Sequence, residues 1–192
     1  MTDITTAGAG TAGDVLPLPL AAGLWTLDPL HSTASFSIRH LGVSKVRGRF
    51  NAFDASLDVG ETVDDLAVTA VIEVASIDTG NADRDAHVRT PEYLDAEGHP
   101  EIRFTSSRVT GSDGDWVLEG EATIHGVTRP FAFDVEFGGV GDFMGRQHAG
   151  FSAAGDLRRS DFGLEFSPPA NLGLGAVVRF ELDLQFAEPL PD

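Results

Sequence analysis

The residues with the widest chemical range in this chain gather in one stretch. Between positions 81 and 104 lie Asp83, Asp85 and His87, an acid–base set at two-residue spacing, together with Arg84, Arg89 and Arg103. A carboxylate beside an imidazole can hold or move a proton, and the planar fork of Arg suits a carboxylate or phosphate. Each has a plainer reading. Alternating charges on a short helix form a solvated face, and the three Arg have Asp83, Asp85, Asp95 and Glu101 close by in sequence to pair with. Six His residues raise the question of a metal. His31 and His40 are nine apart, so a regular strand points them to opposite sides. There is no His-x-x-x-His pair, and the absence of Cys removes thiolate ligands and disulfides alike. His31, His40 and His99 read as groups that satisfy backbone at strand ends. No metal, cofactor or catalytic residue is assigned. No Ser sits in a Gly-x-Ser-x-Gly setting, and no Gly loop reads as a phosphate cradle.

The element that carries this stretch is a short helical insertion. Asn81 is placed to cap a helix. Asp83 and Asp85 then fall in the first turn and His87 and Arg89 in the last, as the helix dipole prefers, with Asp83/His87 and Asp85/Arg89 as i,i+4 pairs. Thr90-Pro91 reads as a second helical start, and Gly98 and Pro100 end the segment.

Around the insertion the chain alternates like β-strand. Phe36 and Ile38 share a face; Val46, Phe50, then after a change of parity Phe53 and Leu57, continue it, the shift that a β-bulge produces. Further alternating runs pass through Val68 and Ile72, Phe104, Trp116, Phe131 and Phe133, Phe151, and Phe180 and Leu182. His125-Gly126-Val127 reads as a type II′ hairpin turn with Gly in its first central position. About eight strands joined by short turns predict an all-β domain, an extended eight-stranded antiparallel barrel that closes to remove its own edges. Such a barrel can be filled by side chains or hold one small ligand; alternation alone leaves both open. Residues 158–176 form a connection long enough to act as a lid.

Composition narrows the functional classes. The chain has 192 residues, a net charge of −17, thirteen Phe, two Trp and one Tyr. An acidic surface repels phosphate backbones, so nucleic acid is not expected as a partner. No apolar run approaches the length of a membrane span, and the first basic residue, Arg39, lies too far along for a secretory signal, so a cytoplasmic location is expected. Residues 1–20 read as a disordered tail and 21–188 as one domain.

These motifs together resemble the YceI-like family, the lipocalin-like polyisoprenoid-binding proteins. The resemblance runs over residues 24–187. It rests on Asp28-Pro29-Leu30-His31-Ser32, Phe36-Ser37-Ile38-Arg39-His40, Val46-Arg47-Gly48-Arg49-Phe50 and Asn81-Ala82-Asp83-Arg84-Asp85-Ala86-His87. Tyr93-Leu94-Asp95, His99-Pro100-Glu101-Ile102-Arg103-Phe104, Gly120–Pro130 and Arg158 with Asp161-Phe162-Gly163 complete it. It implies a barrel with the helical insertion packed against it and a long apolar pocket for an isoprenoid lipid, a prenyl quinone or prenyl phosphate. On that basis we expect a carrier, store or buffer without catalysis.

Taking the large alternating residues as inward-facing, the expected cavity walls are Phe36, Ile38, Phe50, Val68, Ile72, Phe104, Phe131, Phe133, Phe151, Phe180 and Leu182. His40, Arg84, Arg89 and Arg103 are the candidates for the mouth or the lipid head group. The alternation leaves room for a homodimer. Two rivals stand beside this reading: a filled barrel acting through protein partners, and a hydrolase or isomerase using Asp83, Asp85 and His87.

Overall fold

A computed structural model of the chain describes residues 19–62, 65–112, 115–166 and 173–189. The tail at 1–18 and the centre of the expected lid, 167–172, lie outside the described residues. The strands are β1 (Gly23–Leu27), β2 (Thr33–His40), β3 (Ser44–Phe50), β4 (Phe53–Val59), β5 (Ala67–Glu73), β6 (Ile77–Asp78), β7 (Glu101–Ser112), β8 (Asp115–Ile124), β9 (Val127–Phe143), β10 (Arg146–Arg158) and β11 (Leu174–Ala187); the helix α1 is Ala82–Val88. All pairings are antiparallel, and the ring β1-β4-β5-β7-β8-β9-β10-β11 closes through Thr26 opposite Ala187 and Leu27 opposite Phe186. This is the eight-stranded antiparallel barrel that the alternation predicts.

The other three strands lengthen the barrel. One edge of β11 pairs first with β2, from Leu174 to Asp183, and then with β1. Thus β2 continues the line of β1, β3 that of β4, and β6 that of β5. The Asp28–Ser32 motif spans the break between β1 and β2. Asp28 accepts from the Leu30 amide and from the Gln185 side chain and pairs with His31, while the Gln185 backbone donates to Ser32 Oγ at 2.9 Å. Asn51-Ala52 makes the corresponding step between β3 and β4, where the sequence changes parity.

On one side the extension is left open. β5 pairs with β7 only as far as Glu73 opposite Glu101. Beyond that point β6 turns to β3, and residues 79–100 fill the resulting gap with α1. Asn81 caps the helix, its side chain accepting from the Arg84 amide at 2.9 Å. Thr90-Pro91 starts hydrogen-bonded turns and no second helix, since a few residues ahead of Pro100 give too little length to repay nucleation. The β8–β9 turn also differs from expectation. Ile124 pairs with Val127, and both central residues, His125 and Gly126, have positive φ (52° and 73°), a type I′ turn. Gly126 is the second central residue because His125, not Gly126, follows the last paired residue of β8.

The interior has two parts. At the closed end Trp25, fully buried, packs with Leu57, Val59, Ala149 and Phe186, and its indole donates to the Ala21 carbonyl at 2.8 Å. Towards the extended end a larger apolar cluster runs through Phe50, Ile77, Phe104, Ile124, Leu157, Phe162 and Phe180. An edge-to-face series of Phe104, Phe133 and Phe131, with centroids 5.2 and 4.8 Å apart, fills its β7–β9 side.

Candidate functional site

A cavity of ≈ 730 Å³ lies at the extended end, bounded by β2, β3, the start of β11, α1 and the turns that follow β10. Its walls follow from strand parity. Phe36, Ile38 and His40 come from β2 and Val46 and Phe50 from β3, so the intervening Arg39, Lys45, Arg47 and Arg49 face outward. Gly48 is opposite Phe36, and a Cβ at Gly48 would stand 2.5 Å from the Phe36 ring, so this glycine lets the ring lie against the sheet. The helix contributes Val88 on the apolar side, with Arg84 and His87 at the exposed rim.

The rim is tied down by polar contacts. The Asp85 carboxylate is buried and accepts from both the amide and the hydroxyl of Thr79. Arg84 donates to Thr79 Oγ1 at 2.7 Å and to the Thr79 carbonyl at 2.8 Å. His87 stacks edge-on against Tyr93 and faces Glu92, and Tyr93 in turn meets the Phe166 ring at 4.5 Å. The expected helix pairs therefore do not form: the buried ends of Asp85 and Arg89 are claimed by backbone groups just before the helix, with Arg89 donating to the Ile77 carbonyl at 2.7 Å. The acid–base set is dispersed as well, Asp85 being turned to Thr79 and His87 to the side chains of Glu92 and Tyr93.

Next to Phe166, Arg159 forms part of the cavity wall. It is buried, donates to the carbonyls of Gly175 at 2.8 Å and Leu164 at 2.6 Å, and lies 4.9 Å from the Phe166 centroid. Burial pulls its pKa below the ordinary Arg value, with Glu165 opposing. A charged side chain thus sits in an otherwise apolar wall, stabilised by carbonyl dipoles and a ring face.

Of the residues expected at the cavity, Phe36, Ile38, Phe50 and Phe180 line it, as do His40 and Arg84 at its rim. Ile72, Phe104, Phe131 and Phe133 belong to the adjoining packed core but do not line the cavity. Val68 and Phe151 pack on the Trp25 cluster. Leu182 borders a separate depression beside Trp116 and Val135. Arg103 is turned to Glu101 and Arg89 to Ile77, so neither joins Arg84 at the rim. Parity reports which way a side chain faces and is silent on its height along the barrel, and the cavity occupies only one end.

Arg159, Tyr93, Leu94, Leu164 and Phe166 are cavity residues that the expected set lacks. A signal for Arg159 was present: it is two residues beyond the inward-facing Leu157, so the period of two carries it inside.

Outside the cavity the fold also brings Asp95, His99 and His125 together, with one ligand-type atom from each within 4.8 Å of the others. The imidazoles of His99 and His125 are 4.6 Å apart. Burial, reinforced by His99, holds His125 below the usual His range, against the pull of Asp95. Neither sequence spacing nor strand parity announces this meeting, because it depends on the insertion folding back over the β8–β9 turn.

Comparison with known proteins fits this architecture. The model of the YceI-like domain matches residues 25–186. A UPF0312 protein of Staphylococcus epidermidis is 36% identical over 170 residues, covering 85% of this chain and 96% of that protein. A UPF0312 protein of Vibrio parahaemolyticus is 33% identical over 175 residues, covering 88% and 90%. Among solved structures, a YceI protein of Campylobacter jejuni superposes with a TM-score of 0.69 at 27% identity, covering 79% of this chain and 90% of that one. A polyisoprenoid binding domain from Saccharophagus degradans, implicated in plant cell wall breakdown, shares the fold at a TM-score of 0.65 and 15% identity, covering 86% and 98%. The chain belongs to the YceI-like family.

Proposed function

We propose that this YceI-like protein binds one isoprenoid lipid in the cavity between β2, β3 and α1 and acts as its carrier, store or buffer. The observation that carries the reading is the cavity itself: apolar on most sides, of small-ligand size, and bordered by a polar rim at His40, Arg84, His87 and Glu92. The S. degradans relative in fold brings the polyisoprenoid class into consideration. Burying a CH₂ contributes roughly 0.8 kcal/mol, so about five carbons per isoprene unit give roughly 4 kcal/mol. Four or five units already meet the ceiling of about −18 to −21 kcal/mol that non-covalent binding reaches. A longer tail gains nothing from full enclosure, and the cavity need take only part of it.

The head group is the finer question. Arg84 is the one member of the expected Arg trio at the rim, and it is engaged by Thr79. A neutral, quinone-like head suits such a rim better than a diphosphate, whose charge would meet a protein of net charge −17. Binding is favoured over catalysis because Asp85 and His87 address different partners.

Native mass spectrometry of the purified protein, followed by solvent extraction, tests the reading. An apolar adduct of several hundred daltons that is exchanged by added prenyl quinone is expected. A clean protein mass with no uptake of prenyl quinone or prenyl phosphate would overturn it.

A further inference from the structure

We infer that the β2–β3 hairpin is a docking surface for an anionic lipid bilayer, which brings the cavity mouth to the membrane; this rests on the lipid-binding reading above for its purpose, though not for its geometry. Residues 29–53 carry four of the chain's thirteen Lys and Arg and none of its thirty Asp and Glu. The remainder, with nine basic and thirty acidic residues, therefore has a net charge of −21. Charge is segregated, and the positive part is this hairpin.

Three of the four cations stand at its end. Arg39, Lys45 and Arg47 are exposed and face away from the cavity, and Arg39 is directly opposite Lys45. Like charges directly opposite each other on one sheet face repel, so the pair is stabilised when an anionic surface is present. Further from the tip the outward face turns acidic: Arg49 pairs with Asp78, Arg179 with Asp156, and Glu181 and Asp183 follow. The turn between the strands is apolar. Leu41 and Val43 are 64% and 83% exposed. Leu41 also lines the cavity, and its amide donates to the Gly173 carbonyl at 2.7 Å, so the apolar tip is continuous with the mouth.

An aliphatic tip flanked by Lys and Arg matches an interface in which apolar side chains enter the acyl boundary and cations meet lipid phosphates. Nucleic acid or an acidic protein offers the cations a partner but gives Leu41 and Val43 none. The acidic remainder does not prevent approach, because charges more than about 10 Å from the contact are screened at ordinary salt; Arg39, Lys45 and Arg47, which lie within that range, orient the molecule with the mouth towards the bilayer.

The test is flotation of the full chain with vesicles of phosphatidylcholine containing phosphatidylglycerol, beside pure phosphatidylcholine vesicles. Wild-type protein is expected to float with the anionic vesicles only and to be released by salt. The K45E/R47E double variant should lower partitioning by at least tenfold, and Val43→Asp by several-fold. Uptake of farnesol, a short isoprenoid presented without membrane, should be unchanged in both, since none of the three residues lines the cavity. Equal binding to neutral vesicles, no binding, tighter binding to duplex DNA, or variants that float like wild type would overturn the proposal. In that last case the cations serve only to protect the free edge of β3. Loss of farnesol uptake by the wild type, with flotation intact, would instead sink the cavity reading and leave the docking surface standing.

Discussion

The ring of Phe36 lies where Gly48, its cross-strand neighbour, has no side chain, and a Cβ there would come within 2.5 Å of the ring. This contact sets the width of the cavity at the β2–β3 wall. Phe36 also leans on Phe50, with centroids 5.5 Å apart, so it has no free path sideways.

Gly48→Val should therefore drive the Phe36 ring inward. Overpacking of this kind costs about 1–3 kcal/mol, which a thermal melt would detect. Prenyl quinone uptake should fall at least tenfold while the barrel circular dichroism is kept. Unchanged uptake would mean that this wall does not bound the ligand.

Core and cavity positions should separate in their effects. Phe104→Ala, in the packed β7–β9 core, should cost about 3–5 kcal/mol of stability and leave the affinity of the folded fraction near wild type. Ile38→Trp, which fills the cavity, should abolish uptake at little cost in stability. Chemical denaturation and ligand titration of both variants check the contrast. If Phe104→Ala removed binding in the folded state, the cavity would have to extend to the β7–β9 side.

Asp85 is predicted to be an anchor. Asp85→Ala leaves the Thr79 amide without its buried acceptor, and removal of such a partner costs about 1–3 kcal/mol. Hydrogen exchange across residues 79–88 should accelerate, and uptake should weaken as the rim loosens. Turnover of an ester or isoprenoid substrate by the wild type, lost in Asp85→Asn, would instead favour the enzyme reading.

Protonation should act at the His99–His125 contact. His125 is held below the ordinary value of 6.5, first by burial and then by its imidazole neighbour. The unfolded chain therefore takes up a proton before the folded one does, and stability is full above about pH 6.5 and falls as pH drops towards the folded pKa. Following the His125 C2 proton by NMR should give a midpoint below that of a free imidazole. A midpoint at or above 6.5 would contradict the packing described for this pair.

Much of the barrel was legible because alternation has a direct physical cause: a strand with one face inside must repeat every two residues. The Asn81 cap was legible for a similar local reason. What escaped were features set by distant parts of the chain. Phe131 and Phe133 alternate as well as Phe36 does, yet they fill the core, because height along the barrel is fixed by where β5 leaves β7. Arg89 and Arg103 looked alike to Arg84 in sequence, but the carbonyl of Ile77 and the carboxylate of Glu101 claim them. The Asp95–His99–His125 meeting needed the insertion to fold back, which no spacing rule encodes.

The most direct test is a crystal structure of the protein after uptake of a prenyl quinone. The tail should run between Phe36, Ile38, Val178 and Phe180, with its head near His40 or Arg84 and part of the chain emerging past Leu41. Side chains of Phe36, Phe50 and Phe180 closed over an interior with no room for a tail, or quinone bound only to the outer surface, would contradict the account.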